Sequence, residues 1–470
     1  MGHRDHLHVA MGDGTLSPVV KYANTIAAGA LGIVCGFIFL ALVRQANGNL
    51  MFLLSIPLLA GLGLVMVINL NAMLAAILGV RALLDPVLEM TKISIFGQNI
   101  GIGGALNLFV IVLTVVMMVR AHRVGTGVPG NPAWLMYLAI CAGTISLSPI
   151  PGRAIRVLLN LLSYMCMATL PTLIGMDAKS RNRWLKVLLL ASLLPMGMAD
   201  VSLLGDPSMA GRVRGTFMHP NQLAFYLVFV LALCLYILTD EQIRLGGFRK
   251  ALLWVHMANA GILLLATKTR SAWVAAWWFL LLFGLLKQRK YLIVALVLPA
   301  LALAMPSVKE RAMEIFAESG RTAHGNLNSF AWRLEVWRSA WPEICKRPIA
   351  GHGLASFLPL SHGFFSLATE RGVGAHNTYL EVAFETGMLG LLAFVGIFLG
   401  YLKELWKRMR AATGNEAVLY TIGVVYLVSY LVVCASDNLT YYLAFNWYFW
   451  FFIGLLIARS PMSEAKVCTP

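Results

Sequence analysis

The 470 residues are 59% hydrophobic and only 12% charged, with a mean hydropathy of +0.76. A soluble domain carries about 25% charged residues, so this composition excludes a soluble enzyme and fits a chain built for a bilayer. The formal net charge of +16 would suit a nucleic-acid binder, but the Lys and Arg residues are divided among short segments between apolar runs. That is the distribution of the positive-inside rule and of contact with anionic membrane lipids, and nucleic acid is excluded as a partner.

Apolar runs near the ~20 residues needed to cross a bilayer core recur along the chain. They fall at 23–43, 49–64, 66–84, 101–119, 133–149, 154–175, 185–203, 222–239, 250–267, 271–286, 291–306, 386–402, 416–435 and 441–458. The second and third run together, and the pair at 271–306 is short. The pattern predicts an all-α polytopic membrane protein of about 12–14 transmembrane helices. Residues 1–306 form the N-terminal transmembrane helices, 307–385 one large, partly helical loop, and 386–470 the C-terminal transmembrane helices and tail. The polar start, His3 to Pro18, lacks a cleavable signal pattern, so the first run reads as a retained anchor. The seven cysteines form no CxxC or other pairing framework.

Five clusters of Lys and Arg fall on one side when the spans are counted: Arg120 and Arg123; Lys179 to Lys186; Arg244 to Lys250; Lys287 to Lys290; and Lys403 to Arg410. By the positive-inside rule that side is the cytoplasm. The opposite face, periplasmic in a Gram-negative cell, receives Asp85–Asn99, Ser148–Arg156, Leu204–Pro220, Thr267–Ser271, the long loop Ser307–Gly387 and Ser436–Thr440. Within the long loop Val308–Glu318 and Phe330–Lys346 read as helices, and Gly351–Gly374 as irregular. Thr378-x-x-Glu381 is a capping-box pattern that would start a helix just after His376, where backbone amides favour anions.

Four constellations carry possible chemistry, all on that face. In Arg214-Gly215-Thr216-Phe217-Met218-His219-Pro220-Asn221 an Arg beside Gly lets guanidinium and backbone approach a phosphate together, or simply snorkels to the interface before a helix start. Thr267-Lys268-Thr269-Arg270-Ser271 sets two cations and three hydroxyls in a break between apolar runs, as an anion site or as a tight turn. His376, followed by Asn377, titrates near neutrality and suits a general base that a nearby Arg would keep neutral; His219, His324, His352 and His362 compete with it. Arg333 is a further cation, or the partner of Glu335 or Glu343. Trp332 and Trp337 can stack on sugar rings or seat their helix on the interface, and Trp337 and Trp341 share a helix face. No DxD, HExxH, Walker A or GxGxxG pattern and no Cys/His metal spacing occurs. A nucleotide-free, metal-free reaction using arginines on the external face points to a preactivated, phosphorylated lipid substrate.

Taken together, Arg214-Gly215-Thr216-Phe217, His219-Pro220-Asn221, Thr269-Arg270-Ser271, Arg333, Pro348-Ile349-Ala350-Gly351-His352-Gly353 and Ala375-His376-Asn377 resemble the O-antigen ligase family. That family shares its large-loop domain with O-antigen polymerases and bacterial protein O-oligosaccharyltransferases. The resemblance covers about residues 205–400. It implies a metal-independent, inverting GT-C-type glycosyltransferase without cofactors, in the bacterial inner membrane, with its active site facing the periplasm. The donor would be undecaprenyl-diphosphate-linked O-antigen, and the acceptor lipid A–core oligosaccharide. By the same resemblance His376 would be the general base, and Arg214 and Arg270 would hold the pyrophosphate. Arg333, Lys268, His352, Asn377 and Trp337 would contact substrate. A polymerase or protein O-oligosaccharyltransferase using the same donor is the alternative within the enzyme class. A lipid-linked oligosaccharide transporter is the alternative outside it, and would require charges inside the spans.

Overall fold

A computed structural model describes residues 70–90, 92–95, 98–123, 131–205, 211–239, 245–304, 309, 313, 329–369 and 372–458. The expected spans at 23–43 and 49–64, and nearly all of the expected helix Val308–Glu318, lie outside the described residues. The chain divides into units 1–77 and 78–470. Of the first, the described residues are the opening turns of a helix; every feature below belongs to the second.

In chain order the helices are α1 (Leu70–Leu83), α2 (Asp85–Met90), α3 (Ile102–Arg123), α4 (Pro132–Gly143), α5 (Pro151–Ile174), α6 (Ala178–Leu190), α7 (Leu193–Gly205), α8 (Pro220–Thr239), α9 (Gly247–Ala266), α10 (Arg270–Leu286) and α11 (Lys290–Leu303). Then follow α12 (Ser329–Lys346) and α13 (Phe357–Phe364) in the loop, and α14 (Thr378–Ala411), α15 (Gly414–Cys434) and α16 (Leu443–Ile457). Among the described residues six helices are long and apolar enough to cross a membrane, and five shorter apolar helices accompany them. The protein is thus an all-α polytopic membrane protein. The segment expected as the loop Asp85–Asn99 holds α2 and a two-stranded hairpin, β1 (Lys92–Ile95) and β2 (Gln98–Gly101), paired antiparallel. The stretch expected to be irregular, Gly351–Gly374, contains α13.

The core is centred on α16, which is apolar on every side and buried along its whole length, packed against α5. Lipid chains are as apolar as these side chains, so close packing and ring-edge contacts, rather than exclusion of water, hold the helices together. Tyr430 stacks on Phe449 at 4.2 Å, and Trp134 meets Trp450 edge-on at 4.9 Å. Polar tips inside the helices are tied off: Trp447 Nε1 donates to Ser163 Oγ (2.9 Å) and Tyr430 Oη to Asn446 Oδ1 (2.8 Å). On α3 the side chains of Leu108, Val112, Val115, Val116 and Val119 form an exposed apolar stripe at helical spacing, a lipid-facing surface.

Two polar belts mark opposite ends of these helices. At one, Arg181 pairs with Glu416, Tyr236 Oη donates to Asn182 Oδ1 (3.2 Å), and Arg408 donates to the carbonyls of Leu456, Ile457 and Ala458 at the end of α16. Arg181 and Arg408, from the cation clusters Lys179–Lys186 and Lys403–Arg410, both lie at this end. The far ends of the same helices, Asn221 on α8, Thr378 on α14, Asp437 after α15 and Tyr442 before α16, gather at the other belt.

Candidate active site

The second belt is built around a break in α14. Gly387 has φ 67° and ψ −172°, so the helix stops bonding to itself and restarts. The carbonyls and the amide freed by the break are taken by the turn Pro348–Gly353: His352 N donates to Phe384 O (2.8 Å), Gly353 N donates to Glu385 O (2.9 Å), and Pro348 O accepts from Met388 N (2.7 Å). Gly351 (φ 69°) and Gly353 (φ 103°) both occupy left-handed backbone, and a side-chain carbon on either would collide with backbone, of Glu385 and of Ser148 respectively. The Gly351-His352-Gly353 motif is therefore a backbone clamp. The His352 ring lies on Phe384 (4.5 Å) with Nε2 against Glu343 O (2.9 Å).

That clamp fixes the outer segment of α14, and with it the residues just before. Asn377, not Thr378, is the N-cap: its Oδ1 accepts from Leu380 N (3.1 Å). The expected capping box is displaced because Thr378 Oγ1 is used elsewhere, donating to Asp437 O (2.8 Å) and accepting from Leu439 N (3.2 Å). Asn377 N donates to Asn438 Oδ1 (2.9 Å), and Trp337 Nε1 donates to Ala375 O (2.7 Å). Held from both sides, His376 adopts φ 48°, a left-handed conformation costing a non-glycine residue about 1–3 kcal/mol. The geometry aims its imidazole at Asp437: Nδ1 is 3.9 Å from Oδ1. Nδ1 is buried, yet the side chain is 39% exposed, so the exposure falls on the rest of the ring.

Asp437 is wholly buried. Its Oδ1 accepts from Tyr442 Oη (2.8 Å) and Asn438 N (2.8 Å), and its Oδ2 from Asn221 Nδ2 (2.7 Å). Burial pushes this carboxyl up, but the facing His376 imidazole, the hydrogen bond from the Tyr442 hydroxyl and the charge of Arg333 outweigh it and hold the group below the usual carboxylate value. It is an anion at neutral pH. The network continues through Asn221, whose Oδ1 accepts from Arg212 Nη2 (2.6 Å); the same Nη2 donates to Thr269 Oγ1 (2.9 Å), and Arg212 Nε to Thr267 O (2.9 Å). One chain of bonds thus links Asp437, the carboxylate facing His376, to both arginine-bearing turns. Arg270 follows Thr269 directly as the first residue of α10, and Lys268 takes a left-handed φ of 52° between α9 and α10. Arg214 lies two residues beyond Arg212 and is exposed; Gly215 adopts φ 55°, and a side-chain carbon there would collide with the Pro195 carbonyl. That loop is anchored from below: Thr216 Oγ1 donates to Ala82 O (2.6 Å) and Met218 N to Asp85 Oδ2 (3.2 Å), with Asp85 in a buried ion pair with Arg81 (2.9 Å).

Arg333 is half-buried and acts on Asp437 and Tyr442 rather than pairing with its helix neighbours. Glu335 instead faces Arg338 (3.9 Å) and Glu343 faces Lys346 (2.7 Å). Trp332, on the same helix, sets its ring edge-on to the His376 imidazole at 5.9 Å. Trp337 braces Ala375, while Trp341 points out, 62% exposed. His362 ends α13 within the loop, and His324 lies outside the described residues. The structure adds Asp437, Arg212, Asn221 and Tyr442, none of which the sequence singled out individually. Among the described residues no group of three or more His, Cys, Asp or Glu side chains is arranged to hold a metal ion.

An exposed imidazole edge backed by a buried carboxylate thus stands beside arginine-bearing turns at one end of the membrane helices. Residues 255–395 match the model of the O-antigen ligase family. The match includes Lys268, Arg270, Arg333, His352 and His376; Arg212, Arg214 and Asp437 lie outside it. Similar chains include a provisionally named polysaccharide ligase of Rickettsia prowazekii, 34% identical over 84 residues, covering 16% of this chain and 21% of the relative. Another from Rickettsia conorii is 31% identical over 84 residues, covering 16% and 20%. The chain thus spans about a fifth of the length of the curated relatives it matches.

Proposed function

We propose that this protein is an O-antigen ligase: it transfers O-antigen from undecaprenyl diphosphate to a hydroxyl of lipid A–core oligosaccharide, at the periplasmic face of a bacterial inner membrane. The observation that carries this reading is the network around Asp437: the His376 imidazole faces the carboxylate at 3.9 Å, and hydrogen bonds lead from it through Asn221 to Arg212 and Thr269. It unites a base with the two turns that present arginines. The Asp437 carboxylate favours the tautomer with the proton on Nδ1, leaving the Nε2 lone pair on the exposed edge for the acceptor hydroxyl. As the hydroxyl oxygen attacks the anomeric carbon, its proton passes to Nε2, and the bond to the diphosphate oxygen breaks with its electron pair. Arg214 and Arg270, with Lys268 in support, bind the charge that develops on the leaving diphosphate. Arg333 assists the phosphates or the acceptor. The long 3.9 Å approach of Nδ1 to Oδ1 is outside hydrogen-bond range and is the kind of contact that tightens when substrate binds.

The test is transfer by the purified protein, in EDTA, with undecaprenyl-diphosphate-linked O-antigen and lipid A–core. Capped core formed by the wild type and lost in His376→Ala is the expected result. Longer donor-linked polymer without capped core would make the protein a polymerase, and capped core undiminished in His376→Ala would remove the base from the mechanism.

A further inference from the structure

His219 immediately precedes Pro220 and is therefore the N-cap of α8. Its carbonyl accepts from Gln222 N (3.0 Å), and its Nδ1 accepts from Asn221 N (3.1 Å). Ser, Thr, Asp and Asn cap helices in this way with a short side chain that ends at the capping atom. A histidine that caps through Nδ1 differs in one respect: a second nitrogen remains on the far side of the ring. Because the Nδ1 lone pair is committed, the neutral ring carries its proton on Nε2 and presents that edge as a donor. Among the described residues Nε2 has no hydrogen-bond partner within the chain, and the residue is exposed.

The ring lies nearly parallel to Tyr442 (6.3 Å, 12°), whose hydroxyl bonds Asp437, so it sits at the edge of the network described above. The charged and titratable groups that face it are Arg212, Asp437, His376 and Tyr442. Partial burial lowers its pKa, the charges of Arg212 and His376 act the same way, and Asp437 opposes them; the net shift is downward. The imidazole is neutral at physiological pH.

Resting on the ligase reading, we propose that His219 is a further catalytic residue, a neutral Nε2–H donor to an oxygen of the donor's diphosphate. It is not a second base, since its only free nitrogen already bears a proton. No proton leaves it: the acceptor's proton goes to His376, the glycosyl–oxygen bond breaks toward the phosphate, and the His219 hydrogen bond shortens as charge builds on that oxygen. A neutral donor also holds the product diphosphate less tightly than another cation would, which favours its release.

The experiment separates this role from capping. His219→Asn keeps a good N-cap but ends short of the Nε2 position. A helix cap alone predicts wild-type transfer in this variant. The proposal predicts an unchanged melting temperature and a fall in single-turnover transfer of about 10²–10³-fold, the scale of losing one donor to a developing oxyanion. His219→Gln, whose amide nitrogen reaches further, recovers part of the rate. Transfer by His219→Asn within threefold of wild type overturns the proposal. Two readouts do not depend on the ligase reaction. Nitrogen-15 spectra of the histidine-labelled full chain in detergent should show the Nε2–H tautomer at His219, and binding of undecaprenyl diphosphate should weaken several-fold in His219→Asn. An Nδ1–H tautomer, or unchanged affinity, refutes the role of His219 even if the wild type makes no capped core, the outcome that would sink the ligase reading itself.

Discussion

Replacing Asp437 with Asn keeps the shape of the side chain and much of its bonding, but removes the charge behind His376. At the observed 3.9 Å, two unit charges interact by about 4 kcal/mol at an effective dielectric of ~20, and by about 1 kcal/mol in water. His376 is 39% exposed while Asp437 is buried, so the interaction lies between these limits, at roughly 2–3 kcal/mol. This energy stabilises the imidazolium that forms as the acceptor loses its proton. Its loss corresponds to a fall in rate of about 30- to 150-fold, at about tenfold per 1.36 kcal/mol. The assay is single-turnover formation of capped core at saturating donor, with the melting temperature of each variant measured alongside. Asp437→Glu should recover more activity than Asp437→Asn. If Asp437→Asn transfers within threefold of wild type while His376→Ala is inactive, the carboxylate does not support the base, and the proposed dyad is wrong.

Three other outcomes follow from the same coordinates. Asp437 is held below the ordinary carboxylate value despite burial, so its stabilising contribution is complete above about pH 3.9 and is lost as pH falls through the lower folded value. Thermal unfolding in detergent between about pH 6 and pH 3 should therefore show a steeper acid loss for wild type than for Asp437→Asn, and equal slopes would contradict the assignment. Trp332→Ala removes the ring set edge-on to His376, an arrangement worth about 0.5–1.5 kcal/mol, and should slow transfer about 3- to 10-fold with little change in melting temperature. Gly387→Ala forces a side chain into left-handed backbone against the Ile349 carbonyl; a destabilisation of at least about 2 kcal/mol is expected, measured as a lower melting temperature, and a wild-type value would mean the break is not required.

Hydropathy made the spans legible, because a segment that crosses lipid must be apolar whatever it packs against. The expected runs at 101–119, 222–239 and 416–435 correspond to α3, α8 and α15 within a few residues. The break at Gly387 was hidden, since a glycine at the edge of an apolar run reads equally well as the start of a span. His376 and the turns bearing Arg214 and Arg270 could be listed from chemistry, but their connection could not. Asp437 is the lone acidic residue between Glu416 and Glu464, a signal visible in retrospect, yet a single charge in a short turn is ordinary. What gives it meaning is a partner 61 positions earlier at His376 and another 216 positions earlier at Asn221, and spacing on that scale is set by packing alone. His352 shows the converse: a histidine between two glycines looks chemical, and the structure gives it to a clamp.

The bonds around Asp437 have a consequence for biogenesis. The participants are spread from Arg212 to Tyr442, and the aspartate that joins them precedes α16, the last of the described helices. As the chain emerges from the ribosome and its helices enter the membrane in turn, the arginine turns, bonded to each other through Arg212, and His376 arrive before the carboxylate that faces them both. The constellation closes only when Asp437 and Tyr442, at the entrance to α16, are in place, so a chain stalled before α16 carries the earlier parts without their arrangement.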